Sequence, residues 1–275
     1  MIMYKLRKIA KNYLPPILLS FLKKYFSFGQ NIVWKGNYSS WEDAKRVSTG
    51  YEAPEILENV RASMLKVKKG EAVYERDSVL FDEIQYSWPL LAGLMYAAAK
   101  SGGVLKVCDF GGSLGSTYYQ CKKFLDGLKE VIWCIVEQRH FVDIGKKEFE
   151  DDRLKFCYDI ATCKREYNPN VLVLSSVLQY IEKPYDLLEE LLKHNFEFVI
   201  IDRTPFNSEN REVIKVQVVP PWIYKASYPC WFFDMGKMKG YLISKGYKII
   251  EIFDALDGKS EKYEFKGFIL EKEND

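Results

Sequence analysis

The chain has 275 residues, 48% hydrophobic and 15% aromatic, enough to bury the core of one large domain or of one medium domain with an extension. Forty Lys and Arg against thirty-eight Asp and Glu leave a net charge of +2, without the strong positive excess of a nucleic-acid-binding domain. Six cysteines with no C-x-x-C pair, and two histidines, give no pattern for a metal site or a disulfide framework. They read as free thiols packed as small hydrophobes in a reducing cytosol.

Residues 1–28 stand apart. They carry Lys5, Arg7, Lys8, Lys11, Lys23 and Lys24 and no acid, and Ile2, Leu6, Ile9 and Tyr13 fall at helical spacing. The apolar run after Pro15-Pro16 is too short for a membrane span and lacks a signal-peptide cleavage site. A basic amphipathic helix of this kind suits either peripheral attachment to an anionic membrane surface or docking on protein.

Residues 29–100 read as a mostly helical extension. Ser39 followed by Glu42 has the form of a capping box. Pro54 opens a helix whose apolar face is Ile56, Leu57, Val60, Met64 and Leu65, and "SWPLLAGLMYAAAK" reads as a third helix.

From residue 101 strands and helices alternate. Strands are expected over 104–110, 131–137, "LKFCYD", 171–176 and 196–202, with helices between them. After a long loop, a helix near 234–245 precedes two further strands, 247–253 and 263–272, which read as a hairpin. Near-continuous apolar strands separated by helices predict an α/β fold. The expected form is a doubly wound, Rossmann-like seven-stranded sheet, mostly parallel, with an antiparallel terminal hairpin and a helical N-terminal extension.

The first of these strands runs into "DFGGSLG". Gly111, Gly112 and Gly115 let backbone approach a ligand closely. There is no G-K-[ST], and Ser113 interrupts the dinucleotide pattern. Asp109, directly before the turn, would repel a pyrophosphate in a poorly solvated crevice. A cationic adenosine ligand without phosphates, S-adenosylmethionine, fits better. Glu137 ends the second strand, where a carboxylate can accept both ribose hydroxyls. Asp159 ends the third, placed to accept from an adenine amino group.

On these residues the chain resembles the class I S-adenosylmethionine-dependent methyltransferases over about 100–272. "VLVLSSVLQYIEKPYDLLEELL" looks like their motif after the fourth strand, with Gln179 where many members have histidine and Ser113 in place of the middle glycine. The set "WKGNYSSWEDA", "YERDSVLFD", "DFGGSLGSTYYQ", "DRTPF" and "YPCWFF" further resembles a bacterial methyltransferase family whose genes lie in O-antigen or capsule loci. The resemblance implies cofactor contacts from Asp109, Gly111, Gly112, Ser113, Gly115, Glu137, Gln138, Asp159, Ile160 and Ser175. It also implies an acceptor that is a glycan or other small molecule, methylated on oxygen at the cytoplasmic face, with no metal.

A general base for a sugar hydroxyl is sought beyond the fourth and fifth strands and in the extension. Asp202 and Asp77 are the preferred carboxylates, with His140 a weaker choice. Arg76 and Arg203 suit an anionic acceptor such as a phosphate or uronate. Gln179 and Tyr180 are expected to face the transferred methyl, and Tyr228 belongs to the aromatic segment that would stack on a sugar. A nicotinamide-dependent sugar oxidoreductase and a non-catalytic membrane-associated scaffold remain as alternatives.

Overall fold

The computed structural model describes residues 33–50, 54–220, 223 and 226–273. The basic segment 1–28 and its expected surface contact lie outside the described residues, as do Trp222, Tyr224 and Lys225.

In chain order the strands are β1 (Val33–Tyr38), β2 (Tyr74–Arg76), β3 (Val79–Phe81), β4 (Val104–Phe110), β5 (Glu130–Val136) and β6 (Leu154–Cys157). β7 (Val171–Ser175), β8 (Phe198–Asn207), β9 (Val213–Val218), β10 (Ser227–Phe232), β11 (Tyr247–Lys259) and β12 (Tyr263–Lys272) follow. The helices are α1 (Trp41–Arg46), α2 (Pro54–Lys68), α3 (Trp88–Lys100), α4 (Ser116–Leu125), α5 (Arg139–Glu148), α6 (Ile160–Tyr167), α7 (Pro184–Leu192) and α8 (Met235–Ser244).

Seven strands form the central sheet in the order β11-β12-β8-β7-β4-β5-β6. β8, β7, β4, β5 and β6 run parallel, and β12 pairs antiparallel with both β8 and β11. This is the expected doubly wound, Rossmann-like sheet with its antiparallel hairpin. The chain winds outward through β4, β5 and β6, then returns to the other side of β4 as β7. The order therefore reverses between β4 and β7, where Asp109 pairs with Val173. A crevice must open beyond the carboxyl ends of those two strands, because their following segments leave in opposite directions.

Period-two alternation sends successive side chains of each strand to opposite faces. Val107, Trp133, Val173 and Ile200 share one core with α2, α3, α4 and α5. Cys108, Cys134, Leu172 and Val199 share the other with α6, α7 and α8. Burial on both faces explains why these strands read as continuous apolar runs. All six cysteines are free and buried. Among the described residues no helix is long and apolar enough to cross a membrane.

The extension differs from its expected form. Its helices are present, but Ser40 rather than Ser39 caps α1, accepting from the Asp43 amide at 3.1 Å. "YERDSVLF" folds as the β2–β3 hairpin, with Asp77 and Ser78 both at positive φ (51° and 68°), the backbone of a two-residue turn matched to strand twist. The expected long loop after the fifth strand contains β9 and β10. They join β1 in a separate three-stranded sheet, β1-β9-β10.

Candidate functional site

The switch-point crevice encloses about 1090 Å³ including its open mouth, ample for a small-molecule ligand. Its floor is the β4 turn, with Asp109, Gly111, Gly112 and Ser113 lining it. Ser175 closes the β7 side, and Tyr180, Arg203 and Tyr228 line the side toward β8 and β10. The β2–β3 hairpin roofs it with Glu75, Arg76, Asp77 and Ser78. Five of the ten expected cofactor residues and four of the five expected acceptor residues thus meet in one cavity.

The turn is shaped by positive φ at Gly111 (73°), Ser113 (56°) and Gly115 (99°), the last capping α4. Gly112 is needed for space: a Cβ there would stand 2.5 Å from the Asp109 carboxyl carbon. Ser113 adopts the left-handed conformation that glycine more commonly fills, and its amide faces the Glu137 carboxylate closely enough to favour the charged form. The departure from the usual glycine pattern therefore links the turn to the end of β5.

Asp109 is buried and accepts from the Trp133 indole at 2.9 Å. Burial pushes its pKa up to about 7, opposed by that hydrogen bond. Glu137 follows β5, and burial raises its pKa against the amides of Gln138 and Ser113. Glu137 and Gly115 flank the turn without lining the cavity, and Gln138 is exposed at the start of α5. Asp159 caps α6, taking the Thr162 amide at 2.7 Å, which holds its pKa low. Ile160, the first residue of that helix, is buried. Glu137, Gln138, Asp159 and Ile160 lie toward the β5–β6 side of the sheet, away from the cavity wall of Tyr180, Arg203 and Tyr228.

The expected bases are differently placed. Asp202 is 1% exposed, accepts from Ser87 Oγ at 3.1 Å and from the Arg203 amide at 2.9 Å, and does not line the cavity. Burial lifts its pKa to about 6. Asp77 lines the cavity but binds Arg203 at 2.7 Å. His140 is exposed on α5, outside the cavity.

Gln179 is fully buried, and its Nε2 donates to Ser176 Oγ at 3.0 Å and to the Arg203 carbonyl at 3.1 Å. It braces two wall segments from behind the cavity surface. Tyr180 donates to Gln217 Oε1 at 2.9 Å, and Tyr228 shares the same Gln217 at 3.2 Å. The two tyrosine rings meet edge-on, 5.2 Å apart.

Glu75 is a cavity residue that the sequence did not single out from its neighbours in "YERDSVLFD". It is 1% exposed yet lines the cavity. It accepts from Ser116 Oγ at the start of α4 and from the Ser78 amide at 2.6 Å. Burial pushes its pKa up to about 7 against those two hydrogen bonds. The available signal was a two-residue polar turn between apolar-alternating segments.

No family model matches the chain, and no relative is found among curated proteins. Solved structures do resemble it. The N-terminal domain of EvdMO1, in the presence of SAH and D-fucose, shares 12% identity over 78% of this chain and 97% of that one, at a TM-score of 0.48. A Burkholderia thailandensis 1,6-didemethyltoxoflavin-N1-methyltransferase with S-adenosylhomocysteine shares 14% over 83% and 94%, at 0.46. A S-adenosylmethionine-dependent methyltransferase from Clostridium acetobutylicum ATCC 824 shares 12% over 69% and 94%, at 0.45.

Proposed function

We propose that the chain is an S-adenosylmethionine-dependent methyltransferase that O-methylates a sugar or glycan precursor of a bacterial surface polysaccharide. The observation that carries this reading is the switch-point turn, where Gly112 closes over the buried Asp109 and Ser113 turns its amide to Glu137. A bare backbone above a carboxylate, with both cavity arginines on other walls, suits a phosphate-free ligand with a positive end at this turn. The glycan acceptor completes the same reading on the sequence resemblance alone, and a place at the cytoplasmic membrane face on the basic, apolar pattern of residues 1–28 alone.

The residues present fit that cofactor. Gly111, Gly112 and Ser113 would carry its amino-acid end, and Glu137 its ribose. When bound, the cofactor supplies a methyl carbon activated by a sulfonium. The rest falls to the protein. Tyr180 and Tyr228, tied together through Gln217, form a fixed aromatic wall on which a sugar ring can rest. Glu75 is the cavity carboxylate suited to take the hydroxyl proton, since its pKa of about 7 matches a base working near neutrality. Holding the reactants in line supplies several kcal/mol more.

Calorimetry with S-adenosylmethionine, followed by incubation of the labelled compound with a polysaccharide extract, tests the proposal. Binding and transfer of label to a glycan fraction are expected. Absence of binding by the wild-type protein overturns the cofactor assignment, and label in a protein or lipid fraction alone overturns the acceptor.

A further inference from the structure

Two arginines line the cavity, and their surroundings differ. Arg203 is fully matched: Nε and Nη2 reach the Asp257 carboxylate at 2.9 and 3.0 Å, and Nη2 also reaches Asp77 at 2.7 Å. The Arg76 side chain makes no ion pair or hydrogen bond among the described residues, and its Nη1 is buried without a partner. Its guanidinium lies over the Phe81 ring across the hairpin, 5.6 Å from the centroid. That ring supports the flat side of the group and leaves its N–H edges unsatisfied.

Buried guanidinium N–H groups without acceptors are costly to keep. The cavity's acids balance the charge of Arg76, through Asp257, but offer its N–H edges no hydrogen bond. Asp77 and Asp257 are engaged by Arg203. Glu75 is held by Ser116 and Ser78, and Asp109 by Trp133. Burial raises both of these acids toward the neutral form. The position of Arg76 also matters. Its charge acts on Asp257, whose carboxylate grips Arg203 at the β8 side. This is the wall away from β5 and Glu137.

We infer that Arg76 binds an oxyanion carried by the acceptor, a carboxylate or phosphate attached to a sugar, through the free edges of its guanidinium. The inference rests on the methyltransferase reading for the word acceptor, and on the unpartnered Arg76 for the anion. A planar fork suits both groups bidentately, and an acceptor lacking the anion leaves the guanidinium unpaired, which gives selectivity as well as affinity. Uronic acids and sugar phosphates are the class so selected, and neutral sugars are disfavoured.

The test uses the full chain saturated with S-adenosylhomocysteine, titrated calorimetrically with D-glucuronate, D-glucose 1-phosphate and D-glucose. At least one anion is expected to bind ~10-fold or more tightly than glucose, as for a charge-assisted bidentate pair. Arg76→Gln should abolish that preference with S-adenosylhomocysteine affinity changed less than about twofold, and Arg76→Lys should retain part of it. Equal binding of glucose and both anions, or an anion preference that survives in Arg76→Gln, overturns the inference. So does competition between the anion and S-adenosylhomocysteine, because Arg76 would then hold the cofactor's own carboxylate. If the wild type binds no S-adenosylhomocysteine, the methyltransferase reading fails by itself. The same titrations without it still judge Arg76, by whether the anion preference disappears in Arg76→Gln.

Discussion

Arg203 at β8 and Asp257 in β11 form a two-pronged ion pair at 2.9 and 3.0 Å, reaching across β12, which separates their strands. Arg203 does so from a left-handed backbone (φ 53°) and also holds Asp77 of the β2–β3 hairpin. One guanidinium thus ties the extension, the parallel sheet and the terminal hairpin together. Its side chain is 15% exposed and that of Asp257 21%, whereas Asp77 is 53% exposed. Asp257→Asn should therefore destabilise by ~2–4 kcal/mol, since it leaves a largely buried cation half-paired. Asp77→Asn should cost ~1 kcal/mol or less. Urea denaturation of the two variants gives the comparison, and equal losses would contradict the account.

Gly112→Ala places a methyl 2.5 Å from the Asp109 carboxyl carbon. Either the turn or the Asp109–Trp133 hydrogen bond must move. S-adenosylhomocysteine affinity should fall at least ~10-fold, the effect of a small misplacement in a positioned site. Gly240→Ala on α8, where a Cβ meets nothing within 4 Å, is the control. It should leave affinity unchanged and raise stability by ~0.5–1 kcal/mol.

Glu137→Ala removes a carboxylate expected to accept two ribose hydroxyls. Losing a pair of charge-assisted hydrogen bonds corresponds to ~2–3 kcal/mol, a dissociation constant roughly 30- to 150-fold weaker by about 1.4 kcal/mol per decade. Unchanged affinity would remove Glu137 from the cofactor site.

Glu75 has a folded pKa of about 7 against an ordinary 4.5, raised by burial. The folded state therefore holds this proton more tightly than the unfolded chain. The resulting stability is full below pH ~4.5 and is lost as pH rises through ~7, up to ~3 kcal/mol in all. Glu75→Gln lacks this dependence, so its melting temperature should gain on the wild type between pH 5 and 8. A pH-independent gap between the two would show that Glu75 does not titrate there.

The parallel sheet was legible because its strands are buried on both faces and announce themselves as apolar runs. The strand expected over 104–110 coincides with β4, and the one over 263–272, in the expected hairpin, with the antiparallel β12. The β4 turn was legible because glycines are confined to backbones that other residues resist. β1, β9 and β10 were not, since β1 finds its partner β9 only far along the chain, and prolines with clustered aromatics gave "VVPPWIYKASYPCWFF" the look of a loop. The candidate base was missed for a related reason. Nothing in "YERDSVLFD" says which acid points inward, and burial of Glu75 with exposure of Asp77 follows from the hairpin and from α4 packed against it.

The pairing of Val33 with Val218 also sets an order of assembly. While the ribosome is still making the second half of the chain, β4, β5 and β6 with α4 and α5 can already dock, because their contacts are near in sequence. β1 must wait until some 180 further residues have emerged, and long-range closure is slow. The β4 turn on the cavity floor should therefore mature first and the cavity wall that carries Gln217 and Tyr228 last. A nascent chain arrested before β9 should hold a partly built sheet while β1 remains unpaired.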